Sequence, residues 1–217
     1  DVYKRQPFDF SDQVISKGLG LRHLVVGEDF CFGKGRSGTV KDLISLGSSM
    51  GFEVTIAELM ETEIGRVSST SIRNALAEGR PNDAAKQLGH WHRIEGVVIG
   101  GEQRGRELGY PTANMSLDDL HLPHLGVYAV LVDVLNGEHV GSYNGVASLG
   151  VRPMFGENTP NLETFIFDFS GDLYGATLSV ALVEFMRPEI KFDSLESLIV
   201  QMDKDSLKSR EILKSLK

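Results

Sequence analysis

Two periods of hydrophobic and polar positions divide the chain, and the change between them falls near residue 92. In the first part Leu24-Val25-Val26 is a short apolar run stopped by Gly27. Val40, Leu43, Ile44 and Gly47 then recur at helical spacing, and Phe52-Glu53-Val54-Thr55-Ile56 alternates. Recurrence at i, i+3 and i+4 marks one face of a helix, and strict alternation marks a half-buried strand. Strand, helix and strand in that order predict a parallel α/β unit. Ser68-Ser69-Thr70-Ser71-Ile72-Arg73 precedes a helical stretch through Leu76, with hydroxyls suited to an N-cap. Between Gly79 and Gly89, Gly-Arg-Pro-Asn-Asp and a short alanine-bearing helix read as a connector. The patterning therefore predicts one unit over 1–91 and another over 92–217.

Beyond His92 the period is that of strands: Gly96-Val97-Val98-Ile99, Val127 to Val134, His139 to Leu149, Leu162 to Phe169, and Thr177 to Met186. Asn136-Gly137 is a type I′ hairpin signal between the second and third of these. Successive strands without intervening helices favour an antiparallel barrel over a doubly wound sheet. Asp193 with Glu196 offers a capping pair, and Leu195, Leu198, Ile199 and Met202 repeat at helical spacing, so two helices are expected to close the chain. No internal repeat or low-complexity tract interrupts this order.

Composition narrows the class. The 217 residues are 41% hydrophobic and 24% charged, an ordinary globular balance with room for two small domains. No apolar stretch approaches the roughly 20 residues that span a bilayer, and no charged-then-apolar signal segment opens the chain. A cytoplasmic protein without a membrane partner is the expectation. A net charge of −8 argues against a nucleic-acid surface, which needs a broad basic footprint. Cys31 is the single cysteine, cannot form an intrachain disulfide, and reads as a small buried hydrophobe. The pairs His90/His92 and His121/His124 lack the cysteine or carboxylate partners of a metal set and read as structural. The opening Asp-Val-Tyr-Lys-Arg-Gln carries no initiating methionine, and the first clear element arrives near Leu24, so a preceding segment is expected.

Candidate chemistry concentrates in the glycine-rich stretch from Gly100 to Asn114. Gly100, Gly101 and Gly105 let the backbone approach a polyphosphate, while Arg104 and Arg106 supply charge to its oxygens. Tyr110-Pro111 forms a rigid turn into Thr112 and Asn114. Those two lie two positions apart, so in extended backbone a hydroxyl and an amide carbonyl project from one face. Mg²⁺ prefers such hard oxygen ligands beside water and substrate phosphates, so the stretch reads as a site for Mg-ATP. No Gly-Lys-Ser/Thr follows, so the loop is not a Walker A. An ordinary β-turn accounts for the same residues on turn chemistry alone.

Six motifs then follow in a fixed order: Gly105-Arg106-Glu107-Leu108-Gly109-Tyr110-Pro111-Thr112-Ala113-Asn114; Gly126-Val127-Tyr128; Gly145-Val146-Ala147-Ser148-Leu149-Gly150-Val151-Arg152-Pro153; Glu163-Thr164-Phe165-Ile166; Leu173-Tyr174-Gly175; and Arg187-Pro188-Glu189-Ile190-Lys191-Phe192. In these the chain, from about His92 onward, resembles the riboflavin kinase domain of bacterial bifunctional riboflavin kinase/FAD synthetases. The resemblance implies a six-stranded Greek-key barrel that phosphorylates riboflavin to FMN with ATP and Mg²⁺. It places Glu163 as the catalytic base, Thr112 and Asn114 on the metal, and the glycine loop over the ATP phosphates. Alternation puts Glu163 on a face with Phe165, Phe167 and Phe169, and Leu162, Thr164, Ile166 and Asp168 on the other. An exposed strand glutamate is the other reading of Glu163, and Asp168 reads as structural. Arg187, at a strand end before Pro188, suits a planar flavin or a phosphate, and equally a surface salt bridge. Phe185 and Phe192 offer an apolar wall for the flavin ring, or simply core.

The earlier half resembles the later nucleotide-binding motifs of that family's FMN adenylyltransferase domain, at Val26 to Arg36 and Ser68 to Arg73. Gly33, Arg36, Ser69, Thr70 and Arg73 are then its remaining phosphate contacts, although simple helix capping explains Ser68 to Arg73 as well. The domain's earlier Gly-x-Phe-Asp-Gly-x-His-x-Gly-His signature is not in these residues, so this half reads as an α/β remnant and FAD synthesis is expected to be lost. Three positions depart from the kinase pattern: Ser148 stands where asparagine is expected, Met154 for threonine and Phe165 for histidine. Residual adenylyl transfer and a catalytically silent flavin- or nucleotide-binding module are the rival readings.

Overall fold

The computed structural model describes residues 4–101, 105, 108–117, 120–154 and 157–216, with side chains set aside over 152–159. The chain forms two compact units, Asp1–Arg66 and Val67–Lys217.

In the first unit α1 (Pro7–Phe10) runs into a π-helical turn, Ser11–Ser16. β1 (His23–Gly27), α2 (Val40–Met50) and β2 (Glu53–Ala57) follow, with β1 parallel to β2 from His23 opposite Glu53 to Gly27 opposite Ala57. A short hairpin, β3 (Glu61–Thr62) and β4 (Gly65–Arg66), completes it. Thr39 starts α2 with a capping box: the Asp42 carboxylate accepts the Thr39 N–H at 2.8 Å, and the Thr39 hydroxyl accepts the Asp42 N–H. Gly51 ends it in the left-handed conformation. Phe10, Ile15, Val26, Phe32, Val40, Leu43 and Phe52 form the core, so of the helical stripe Val40, Leu43 and Gly47 are buried whereas Ile44 is exposed.

The second unit begins with α3 (Ser69–Ala77) and α4 (Pro81–Leu88). Six strands follow: β5 (Arg93–Val97), β6 (Thr112–Ser116), β7 (Gly126–Val134), β8 (Gly141–Met154), β9 (Glu157–Ile166) and β10 (Thr177–Arg187). Their order is β5-β10-β7-β8-β9-β6, antiparallel throughout. β10 returns to lie beside β7 after the meander β7-β8-β9, which is the Greek-key path. The Ile99 N–H donates to the Asn114 carbonyl at 2.9 Å and brings the chain after β5 against β6, so the barrel is nearly closed. Ile94, Met115, Tyr128, Val130, Leu149, Leu162, Val180 and Leu182 fill its interior. On the outside Val127, Ala129, Val146, Phe167 and Val183 pack with Leu213 of the terminal helix α5 (Leu195–Lys214). β7 is thus buried on both faces, which is why its sequence is nearly all apolar.

Four local expectations are corrected. A single helix closes the chain, because no glycine or proline interrupts Leu195 to Lys214. Its capping box joins Ser194 to Ser197 rather than Asp193 to Glu196. Asn136-Gly137 does not make a type I′ turn: among the described non-glycine residues only Arg36 and Asp168 have positive φ, whereas that turn needs it at Asn136 too. The Asn136 side chain instead accepts the Thr177 N–H at 2.8 Å, tying a longer loop to β10. Finally, the β9 alternation stops at Ile166. Asp168 takes φ 55°, and Phe169 joins the barrel-interior cluster while Phe165 and Phe167 stay outside.

Two of the paired histidines meet backbone carbonyls of α3. His121 Nε2 lies 3.1 Å from the Arg73 carbonyl and His124 Nδ1 3.0 Å from that of Ala77, so both meet the C-terminal half of α3. Burial, with His121 and His90 nearby, holds the His92 imidazole below its ordinary range. The unfolded chain therefore takes up a proton that folded His92 resists. This contribution is present above about pH 6.5 and is lost as pH falls. Thermal melts between pH 7.5 and 5.5 should show a smaller loss of Tm for His92→Gln than for the unmodified protein.

Candidate active site

Register decides which side chains meet. In an antiparallel sheet, directly opposed residues project from the same face. Asn114 of β6 is opposite Glu163 of β9, Glu163 opposite Ser148 of β8, Ser148 opposite Val127 of β7, and Val127 opposite Arg187 of β10. The neighbouring row joins Thr112 to Phe165 and Val146. Thr112, Asn114 and Glu163 therefore share the outer face of the barrel, while Leu162, Thr164 and Ile166 are buried. This is the arrangement that spacing alone suggested for Thr112 and Asn114, with the carboxylate now placed beside them.

The loop before β6 is built by glycines. A Cβ on Gly101 would lie 2.6 Å from Asn114 Nδ2 and 3.1 Å from its Oδ1, so only glycine lets this backbone lie on the amide. A Cβ on Gly105 would meet the Tyr110 carbonyl oxygen at 2.3 Å. The Gly105 carbonyl accepts the N–H groups of Leu108 at 3.2 Å and Tyr110 at 2.7 Å, and Gly109, at φ 82°, completes the turn. Exposed Pro111 then leads into β6. Asn114 is 9% exposed and donates from Nδ2 to the Thr112 carbonyl at 3.2 Å.

Two aromatics and a helix frame the site. The Tyr110 ring lies 4.9 Å from that of Phe165, and its hydroxyl donates to Asp203 of α5. Burial, and then the Asp203 carboxylate, push this phenol up to about 12, so it stays protonated as a donor. Phe165 thus fills the position where histidine is expected and serves as the platform for Tyr110. α5 is held by further polar contacts. Arg187 donates to Asp205 from Nε at 3.1 and 3.0 Å and from a terminal nitrogen at 2.6 Å, and Gln201 donates to the same carboxylate at 2.9 Å. Ser209 donates to the Gly145 carbonyl at 2.8 Å. Arg210 pairs with the exposed Asp168 and lies 4.2 Å over the Phe167 ring.

The other predicted residues fall in several places. Gly100 lies on the glycine loop; Arg104 and Arg106 lie outside the described residues. Arg187 stands in the row of Glu163, but its guanidinium is engaged by Asp205. Phe185 packs against Tyr128 and His124, at ring distances of 5.3 and 5.1 Å. Phe192 is half-buried between β10 and α5. Ser148 lies in the Glu163 row, and Met154 ends β8. In the first unit Gly33 (φ 76°) precedes a 3₁₀ turn, Lys34–Arg36, that Arg36 (φ 57°) ends. In the second, Ser69, Thr70 and Arg73 are exposed on the first turns of α3, where Ser68 and Ser71 form a capping box. Sequence reasoning missed Asn161, whose Nδ2 donates to Glu163 Oε1 at 3.2 Å, although the period-2 rule puts it on that face. It also missed the Tyr110–Asp203 contact, 93 residues apart, for which no local signal exists.

The strand order, the glycine loop entering β6 and the terminal helix define a riboflavin kinase-like barrel. The riboflavin kinase family profile matches residues 88–213, and the chain belongs to that family. A FAD synthetase profile matches residues 1–71. The bifunctional riboflavin kinase/FMN adenylyltransferase of Pseudomonas fluorescens is 41% identical over 205 residues, covering 94% of this chain and 65% of the relative. That of Bacillus subtilis (strain 168) is 39% identical over 204 residues, covering 92% and 62%. The chain therefore spans less than two thirds of the length of these relatives. A crystal structure described as a macrolide-efflux protein from Streptococcus pneumoniae aligns with TM-score 0.80 and 35% identity over 95% of this chain and 66% of the other. Among the described residues no helix is long and apolar enough to cross a membrane.

Removing Asp205 should be costly, because it leaves the largely buried Arg187 guanidinium uncompensated. Asp205→Ala should lower unfolding free energy by roughly 3–5 kcal/mol, and the double variant Arg187→Met/Asp205→Leu should recover much of it. Denaturant titration of the three proteins checks both expectations.

Proposed function

We propose that the barrel unit transfers the γ-phosphate of ATP to the 5′-hydroxyl of riboflavin, giving FMN and ADP. The observation that carries this reading is the single outer-face row in which Asn114 opposes Glu163, beside Thr112 and under the glycine loop. Phosphoryl transfer needs little covalent chemistry from the protein; it needs positioning, charge neutralisation and a base for the hydroxyl. Glu163 takes the proton of the 5′-hydroxyl as that oxygen bonds to the γ-phosphorus and the bond to the ADP oxygen breaks. Gly100, Gly101 and Gly105 lie over the phosphates, with Arg104 and Arg106 supplying charge and Tyr110-Pro111 holding the turn.

Thr112 and Asn114 fit a divalent cation, since a hydroxyl and an amide oxygen are hard ligands and a methyl at Gly101 would crowd the amide. We assign them Mg²⁺, which would neutralise charge on the transferring phosphoryl group. Arg187 defines the flavin side through its hold on α5, with Phe192 and Phe185 as apolar wall, Phe185 resting on Tyr128. The riboflavin kinase domain is taken as 92–217 and the adenylyltransferase part as 1–91, in a cytoplasmic protein acting on riboflavin, FMN and ATP without nucleic acid or membrane.

The profile match over 1–71 favours a second activity, FMN adenylyltransferase, with Gly33, Arg36, Ser69, Thr70 and Arg73 as phosphate contacts. We propose that this site is incomplete in these 217 residues, which carry no Gly-x-Phe-Asp-Gly-x-His-x-Gly-His segment.

Chromatography of flavins after incubation with riboflavin, ATP and Mg²⁺ tests both readings. FMN should form, require the metal, and be accompanied by no FAD. Glu163→Gln should lower kcat by roughly 10²- to 10⁴-fold, the range of a general base. Full activity in Glu163→Gln would remove the base assignment, and FAD formation would show adenylyl transfer intact. Unchanged riboflavin from folded protein would favour the silent flavin- or nucleotide-binding module.

A further inference from the structure

One buried polar side chain beside the candidate base has half of its hydrogen-bonding capacity unmet. Asn161 lies two residues before Glu163 on β9, so both project from the outer face. It is 3% exposed, and its register partners are Ser116 on β6 and Gly150 on β8. Its Nδ2 donates to Glu163 Oε1 at 3.2 Å, whereas its Oδ1 is buried without a hydrogen-bond partner among the described residues. Chemistry fixes this orientation of the amide, because a carboxylate oxygen accepts only and therefore faces the nitrogen. The neighbouring backbone is closed by Glu189, whose Oε1 would lie 2.4 Å from a Cβ on Gly150. A carboxamide kept for packing alone would have both ends paired, since a buried polar atom without a partner is destabilising. One end here meets Glu163, and the other is an enclosed acceptor whose capacity is unmet among the described residues.

We propose that Asn161 is a positioning residue for phosphoryl transfer. Its Nδ2 orients the Glu163 carboxylate, and its Oδ1 accepts a hydrogen bond from a hydroxyl on the polyol chain of the acceptor substrate. The inference rests on Glu163 acting as the base. It makes Asn161 a determinant of the acceptor side of the reaction and leaves the ATP side unaffected.

Asn161→Ala and Asn161→Ser test this as a pair, because they remove the carboxamide at nearly equal volume and only serine keeps a hydroxyl that can donate and accept. Steady-state kinetics should show kcat for Asn161→Ala lower by about 10- to 100-fold, the value of a hydrogen bond to a charged group. The KM for riboflavin should rise by about fivefold or more, the loss of one such neutral contact, while the KM for ATP stays within about twofold. Asn161→Ser should regain at least about fivefold in kcat at a melting temperature matching that of the alanine variant. In a Glu163→Gln background the alanine and serine variants should become equal in kcat, because the effect passes through Glu163. Equal kcat and riboflavin KM for the two variants with Glu163 intact would overturn the proposal, as would a kcat difference that survives Glu163→Gln. Full kcat in Glu163→Gln alone would instead remove the base assignment, a separable result.

Discussion

The hydrogen-bonded register between β6 and β9 is the constraint on which the rest of the barrel unit depends. Side chains alternate along a strand with period two, so a slip of one residue would send Asn114 and Thr112 inward and Ala113 and Met115 outward. Burial opposes that slip strongly, since Met115 and Leu162 are fully buried in the interior and Asn114 opposes Glu163 outside. The burial of the hydrophobic core therefore suffices to align the polar row. The same reasoning extends across β8, where Ala147 and Leu149 point inward and Ser148 stays with Glu163.

α5 converts this open sheet face into a site with a wall. Its apolar contribution is modest, through Leu213 and Ile212 against the outer cluster, and polar contacts fix its place. Asp205 with Arg187, Ser209 with the Gly145 carbonyl, Arg210 with Asp168 and Asp203 with Tyr110 are spread over little more than two turns. The Arg187–Asp205 pair is the most buried of these and sets angle and register more than it adds stability, since desolvating both charges offsets much of their attraction. Through Tyr110 the helix reaches the loop that precedes the candidate metal ligands, and through Arg187 the far end of the row that contains Glu163. The departure at Phe165 belongs to this linkage, because an aromatic platform under Tyr110 replaces a polar side chain with a packing one.

The first unit follows the same physical rules on a smaller scale. One parallel strand pair and one covering helix bury a compact core, and the sheet leaves Val25 and Ile56 exposed. Its residues 1–66 lie within the stretch that matches the FAD synthetase profile.

Much of this was legible along the chain because the signals are local. The helix at Val40–Met50 was written in its apolar stripe, and Thr112 and Asn114 shared a face by spacing alone. The strand around Glu163 was visible as alternation, until a left-handed residue at Asp168 ended it. The family motifs, each a few residues long, identified the barrel without any knowledge of its topology. Other features lay outside what the sequence could express: Asn114 opposite Glu163, Arg187 committed to Asp205, Tyr110 joined to Asp203, and Asn161 half-paired beside Glu163. These relations join residues up to 93 positions apart, through register, bulges and helix docking that minimise the free energy of the whole core. Local spacing determines which way a side chain points from its own strand or helix; only the packed tertiary structure decides what it meets there.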